Sequence, residues 1–596
     1  MAEVRLRFRI GLASVIAASV AIAASGGAAS GGAQSAASDA ALAKGKRALD
    51  RSDGVGAEIA FKDALKSGAS RQAVAAGMGE ALLDQNKRTD ARAWLAPAKF
   101  APDDALRGLR MLSRLEIADG HLAAAGIALD RALAINGKSS EVWVDIAQLR
   151  YRGGEQVQAV DAVDRAIEAD AGNVRALEFR GLIVRDQFGP AAALPWFEAA
   201  LLKAPNDGTI LGDYAATLGD LGRARQMLAV TRRMIDLGAQ TPKALYLEAV
   251  LAARAGNGSL ARALLNKAGP GAISSPAGLQ FDGVLHLQAG NPLLAAQSLS
   301  RLAELQPYNE RAQLLLARAL YANGQQAQLV ERFGMAARHE GASAYLLTLV
   351  GRSLEDIGRR DEAAYMFDRA AAARTAGLVL VAPAQDVNSG DTDNRGYAAA
   401  ITVRAQFANG RFDEAMGTAD HLRSDFPGMG AAEVLAGDAY FARGRYDLAL
   451  ARYGVASQVR TDDALLSRLV ICAALAGRRD AAAGKLEAYF GANPQSRTAA
   501  RLAADYAGSI GQWDRARLLL EHLRDNGGGR DVRLLSDLAY AQMQIGDSET
   551  ARATAAAAWS LQRANPVASQ VWGSALAVNA KQSPLATSLF ARAKHP

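Results

Sequence analysis

The sequence predicts an all-α fold, a solenoid of about sixteen 34-residue helix–turn–helix repeats, and three observations predict it. First, a small residue recurs every 34 residues at Gly45, Gly79, Ser113, Ala147, Gly181, Ala215, Ala249, Gly283, Ala317 and Gly351. Second, twelve residues after each stands a small or apolar residue, from Ala57 through Ala193 to Ala363, and sixteen after each a mostly large one, such as Phe61, Leu95, Phe197, Leu299 and Phe367. Third, glycine recurs between the two helices of the unit, at Gly120, Gly154, Gly222, Gly256, Gly290, Gly324 and Gly358.

The clearest unit is Val174–Asp207. Counted along it, Gly181 is eighth, Ala193 twentieth, Phe197 twenty-fourth, Ala200 twenty-seventh and Pro205 thirty-second. Packing accounts for the pattern. A small eighth residue lets the second helix lie close to the first. The twentieth and twenty-seventh positions share one face of the second helix. The large twenty-fourth residue lies between them and fills space at the contact. Glycine between the helices supplies the left-handed backbone that ends a helix. Pro205 and Pro307 close second helices, and Pro195, inside one, predicts a local kink.

The pattern resembles the tetratricopeptide repeat family over roughly residues 38–596, with the same unit length and the same small and aromatic positions. Departures exist: the family's tryptophan at position four is present only as Trp143, position eleven is seldom tyrosine, with Tyr440 a match, and the unit from Gly208 is weak, with Met227, Thr231 and Met234 at its key positions. The resemblance implies a right-handed superhelix whose first helices line a concave groove, and generally an interaction scaffold.

In chain order, residues 1–24 read as a signal peptide or membrane anchor. Arg5, Arg7 and Arg9 lead an uncharged apolar run from Ile10 to Ala24, and small residues follow. No cysteine lies near it, which excludes a lipoprotein anchor. Residues 25–37 read as a Gly/Ser/Ala tether. Residues 38–377 hold ten in-frame repeats. Residues 378–395 break the frame and read as a surface insertion. Asp391, Asp393 and Gly396 match the start of a calcium loop, but Arg395 and Thr402 stand where ligands belong. Residues 396–596 hold six more repeats and a C-terminal cap.

Composition gives little chemistry. A net charge of +7 over 596 residues is a weak bias and no argument for nucleic acid. Cys472 is the single cysteine and reads as a buried structural thiol. The six histidines are scattered, without metal-ligand spacing, and no phosphate loop or nucleophile elbow is present. The reading is a non-enzyme without cofactor, metal or catalytic residues.

The candidate binding residues are Arg107, Arg110 and Arg114, on one face of one first helix, with Arg311, Arg318, Arg352 and Arg404 at equivalent positions in later repeats. Such a lining suits an acidic peptide or anionic polysaccharide. Glu80, Glu141, Glu178, Glu355 and Asp438 map to the same face and break the field, which favours a solvated helix face. Reversing Arg107, Arg110 and Arg114 to glutamate is expected to weaken ligand binding and leave melting unchanged. Tyr151, Tyr246, Tyr321, Tyr397 and Phe407 are groove anchors or ordinary hairpin packing.

The function expected from this reading is a protein–protein interaction scaffold of the bacterial cell envelope, periplasmic or anchored in the inner membrane facing the periplasm. Exopolysaccharide export, secretion or outer-membrane assembly are its expected settings, by analogy of fold. The alternative is a membrane-anchored, cytoplasm-facing regulator or chaperone adaptor that binds peptide segments. Membrane association is expected only through an uncleaved N-terminal segment.

Overall fold

A computed structural model describes residues 27–51, 53–239, 241–307, 309–338, 342–372, 395–563, 565–577 and 584–594. The signal or anchor segment 1–24 and residues 378–394 of the insertion lie outside them. The chain divides into two compact units, residues 1–137 and 138–596.

The first unit contains three hairpins: α1 (Gly27–Leu49) with α2 (Gly54–Lys66), α3 (Arg71–Asp84) with α4 (Arg88–Leu95), and α5 (Ala105–Ala118) with α6 (Leu122–Ile135). Helix α1 begins at Gly27, so most of the residues read as a tether are helical. Alanine, the best helix former, alternates there with the glycines that oppose it.

The second unit runs in pairs through α7 (Ser140–Arg152), α8 (Gln156–Ala169), α9 (Val174–Phe188), α10 (Pro190–Lys203), α11 (Gly208–Asp220), α12 (Ala224–Asp236), α13 (Thr241–Arg254) and α14 (Gly258–Ala268). The short α15 (Pro270–Ser274) follows. Then come α16 (Pro276–Gln288), α17 (Pro292–Leu305), α18 (Glu310–Ala322), α19 (Gln326–Arg338), α20 (Ala344–Asp356) and α21 (Arg360–Ala372). After the insertion the pairs resume with α22 (Arg395–Ala408), α23 (Phe412–Asp425), α24 (Gly430–Ala442), α25 (Tyr446–Ala456), α26 (Asp463–Leu475), α27 (Arg479–Ala492), α28 (Arg497–Ser509) and α29 (Trp513–Leu523). The chain closes with α30 (Val532–Gln544), α31 (Ser548–Leu561), α32 (Pro566–Ala577) and α33 (Pro584–Lys594). Helix α10 continues through Pro195 as one element.

The repeat pattern is the core. All ten residues at the twentieth position, from Ala57 to Ala363, are buried. The eighth position is small because the twenty-fourth fills it. A methyl group placed on Gly181 would stand 2.9 Å from the Phe197 ring, and one on Gly351 2.8 Å from the Phe367 ring. Gly45 meets Phe61 and Gly283 meets Leu299 in the same way. The weak unit keeps the geometry with different chemistry. Thr231 is fully buried at its twenty-fourth position, and its hydroxyl has an acceptor within reach in the Leu228 carbonyl at 3.1 Å or Glu248 Oε1 at 3.0 Å, which satisfies the polar group.

The hairpin turns follow the glycines. All seven glycines at the fifteenth position take φ between +73° and +86°, which only glycine adopts without steric cost. First helices start on a second periodic signal. Ser139, Asn173, Asp207, Ser275, Asn309 and Ser343, spaced by 34 or twice 34, each accept a hydrogen bond from a backbone N–H of the helix they cap. Each such cap contributes about 1 kcal/mol.

Within each unit, neighbouring first helices pack on one another, as in α3 on α5 and α7 on α9. Second helices rest on the following first helix, as in α8 on α9 and α10 on α11. No comparable contact joins consecutive second helices among the described residues. Elements on the inside of a curved stack lie closer together than those outside it. The first helices therefore line the concave face.

Candidate binding groove

Cross-hairpin ion pairs punctuate the concave face of the second unit. The Arg175 guanidinium on α9 donates to Asp145 Oδ1 on α7 at 2.9 Å. Lys243 on α13 donates to Asp213 Oδ1 on α11 at 2.7 Å. Arg468 on α26 donates to Asp438 on α24 through two parallel bonds, Nε to Oδ1 at 2.8 Å and Nη2 to Oδ2 at 3.0 Å. The three pairs share a separation of 30 residues. An acid at the sixth position of one unit thus faces a base near the second position of the next. Arg501 on α28 pairs with Asp537 on α30, which also accepts from Arg533 Nε at 2.9 Å.

The pairs differ in how far they open to solvent. The Arg175 and Lys243 side chains keep about a third of their surface exposed, at 33% and 35%. Lys243 keeps ammonium protons for a second acceptor, and Arg175 Nη2 already shares itself with Gln148 Oε1 at 3.3 Å. The Arg468–Asp438 pair is closed on both sides, Arg468 being 12% exposed. Asp438 is 1% exposed, as buried as Asp145, and also accepts from the Tyr453 hydroxyl at 2.7 Å. Burial pushes its carboxyl up to about 6, against the pull of Arg468 and Tyr453.

Glu178 stands on α9 between the two open pairs. Burial pushes its carboxyl up to about 7, and the nearby Asp213 and Asp207 carboxylates add to the rise, against Arg175 and Lys243. At neutral pH this part of the groove therefore carries a carboxyl near its midpoint, flanked by two half-open cations.

The structure places the sequence's candidates unequally. Arg107 on α5 is held by Glu80 on α3. Arg110 is buried, at 6% exposure. Arg114 lies on the same helix and touches Met111 Sδ at 3.8 Å. The three residues share α5, but they do not form an open cationic strip. Arg311 and Arg318 on α18 and Arg352 on α20 are exposed, and Arg404 on α22 is half-buried. Among the acidic residues, Glu80 and Asp438 are matched with Arg107 and Arg468.

The aromatic candidates pack within and between hairpins. Tyr151 meets Phe179 edge-on at 5.9 Å and donates to Asp186 Oδ2 at 2.9 Å. Tyr246 meets Phe281 at 5.8 Å, and Phe407 meets Phe412 at 5.6 Å. Tyr321 packs against the core of its hairpins. The side chain of Tyr397 lies outside the described ones. Cys472 is buried, its thiol donates to the Tyr446 carbonyl at 3.1 Å, and burial pushes it up to about 11, which keeps it protonated. Away from the groove, a shallow depression of about 460 Å³ lies between α19, α20 and α21, lined by Val330, Met335, Leu354 and Met366.

The bases of the cross-hairpin ion pairs, Arg175, Lys243, Arg468 and Arg501, are not among the candidates read from the sequence. An acid followed by a base 30 residues later, one repeat on and one helical turn back, is the signal that reading lacked.

Comparison with known proteins agrees with this architecture in one stretch. No curated protein matches the chain. Among solved structures it is similar to the APC/C hetero-tetramer Cut9-Hcn1, at 11% identity and a TM-score of 0.39, over 93% of this chain and 96% of that one. It is similar to pilF of Pseudomonas aeruginosa at 18% identity and 0.31, over 36% and 99%. It is also similar to a tetratricopeptide repeat protein from Parabacteroides merdae at 17% and 0.31, over 48% and 99%. At such scores the likeness transfers nothing further to this chain. Residues 402–458, which hold the second half of α22 and all of α23, α24 and α25, match the family model described as Tetratricopeptide repeat.

Proposed function

We propose that the chain is a non-catalytic interaction scaffold whose concave face binds an extended segment of another protein. The observation that carries this reading is the set of half-open ion pairs on consecutive first helices, Asp145–Arg175 and Asp213–Lys243, with Glu178 between them. Their alternation of sign suits a peptide that carries both charges. It suits an anionic polysaccharide less well, because an acid already faces each of these cations. The setting we propose is the bacterial cell envelope, with the chain periplasmic or anchored by its N-terminal segment, in export, secretion or outer-membrane assembly. That proposal rests on the order of charged, apolar and small residues in 1–37.

Crosslinked purification of the full chain from its native cells, with the fractions identified by mass spectrometry, tests the setting. Enrichment of export or envelope-assembly proteins is the expected result. Enrichment of cytosolic chaperones or signalling proteins contradicts it and favours the cytoplasm-facing regulator.

A further inference from the structure

Within the second unit the superhelix returns onto itself. Three successive hairpins meet three successive connections that lie 269 to 305 residues further along the chain. At the first, Gln158 Nε2 on α8 donates to the Pro427 carbonyl at 3.2 Å, and the Gly430 N–H donates to Gln156 Oε1 at 3.1 Å. At the second, Gln187 Nε2 on α9 donates to the Gln458 carbonyl at 2.6 Å, and the Thr461 N–H donates to the Asp186 carbonyl at 2.8 Å. At the third, Asn493 Nδ2 donates to the Phe188 carbonyl at 3.4 Å, and a methyl group on Gly222 would stand 2.9 Å from Gln495 Nε2. The hairpins α7–α8 and α9–α10 thus sit over the connections after α23 and α25, and the connection after α27 meets both Phe188 at the end of α9 and Gly222 between α11 and α12. This is one coil of the superhelix resting on the next.

The seam is chemically unlike the packing inside each coil. It is made of amide side chains and backbone groups, with Met429 beside Gly154 as its apolar member. The hairpins themselves are joined by buried alanine, leucine and phenylalanine. Opening the seam exchanges protein hydrogen bonds for water, and it frees the buried Gln158 Oε1, which has no partner among the described residues. Opening a hairpin contact exposes apolar core instead. A stack whose units touch chiefly their neighbours also changes pitch through small rotations shared among many hairpins.

We infer that this seam is a clasp: a polar contact between successive coils that opens as a unit while every hairpin stays folded, and so sets how wide the groove can become.

Two variants of the full chain test it. In the first, Gln158→Ala, Gln187→Ala and Asn493→Ala together remove a side-chain donor from each tier. The expected result is a larger maximum dimension by small-angle scattering and several-fold faster hydrogen exchange at the Thr461 amide, with helicity unchanged by circular dichroism. Unchanged dimensions and exchange overturn the clasp. Lost helicity also overturns it, because the seam is then part of the hairpin fold. In the second, Gly154→Cys and Met429→Cys are combined, since a Cβ on Gly154 would lie 3.9 Å from that of Met429, within disulfide range. Gly154→Ala reports separately the effect of a side chain at φ +86°. Oxidation is expected to link the pair within one chain and to slow exchange at Thr461 several-fold relative to the reduced form. A pair that stays reduced in oxidant, or a linked pair with unchanged exchange, overturns the proposal.

Discussion

Arg468 grips the Asp438 carboxylate through both of its oxygens, from one first helix to the previous one, and the carboxylate is 1% exposed. Planar guanidinium and carboxylate fit each other in this way, and lysine does not reproduce the fork. Replacing Arg468 by methionine leaves a buried acid without its cation. A loss of about 3–5 kcal/mol is expected, read as a fall in the urea or thermal midpoint. Adding Asp438→Leu should recover much of it. A double variant no more stable than Arg468→Met would show that the pair is not the source of the loss.

Gly181 and Phe197 are expected to respond as one unit. The ring stands where the methyl of Gly181→Ala would go, so that change should cost about 1–3 kcal/mol by overpacking. Phe197→Ala should cost about 3–5 kcal/mol through the cavity. Combined, they should cost less than the sum, because the smaller side chain admits the methyl. Strict additivity in a double-mutant cycle would contradict the contact.

Glu178 makes the second unit pH-sensitive. Its folded-state pKa of about 7 lies above the ordinary glutamate value of 4.5. The folded state therefore binds the proton more tightly, and stability falls as pH rises from about 5 to about 8. With allowance for its solvent access, the effect is on the order of 1–2 kcal/mol. Glu178→Gln should melt higher than the parent at pH 8 and lose the advantage at pH 5. An advantage equal at both pH values would contradict the shift.

The triple reversal on α5 is expected to damage the fold. The sequence reading expects unchanged melting after Arg107, Arg110 and Arg114 become glutamate. In the structure Arg107 faces Glu80 and Arg110 is buried. Reversal sets acid against acid and places a carboxylate in the core, and a loss of about 3–5 kcal/mol should follow. A melting midpoint unchanged by the reversal would show that these arginines are surface groups after all.

What the sequence makes legible is what one repeat does for itself and its neighbour. The Gly181–Phe197 contact spans 16 residues and recurs in register, so periodicity alone exposes it. The turn glycines are legible for the same reason. Helix caps such as Asn173 and pairs such as Asp145–Arg175 carry a period too, but one spread over several residue types, which hides it. The seam between Gln187 and Gln458 has no local signal. It depends on a small rotation per hairpin summed over several hairpins, and no short window of sequence encodes that sum. The α5 arginines were legible as one helix face. Their surroundings were not, because Arg107 depends on the acid that the previous first helix presents, Glu80, and Arg110 on the packing that buries it.

The concave groove is tested most directly by a photo-crosslinking residue placed on each face in turn, in the full chain and in its native cells. Lys243 marks the concave face on α13, and Leu202, 83% exposed on α10, marks the outer one. Capture of the same discrete partner from Lys243 and not from Leu202, lost when Asp213 and Glu178 are also neutralised, is the expected result. Equal capture from both faces, or capture from Leu202 alone, would contradict a groove that binds.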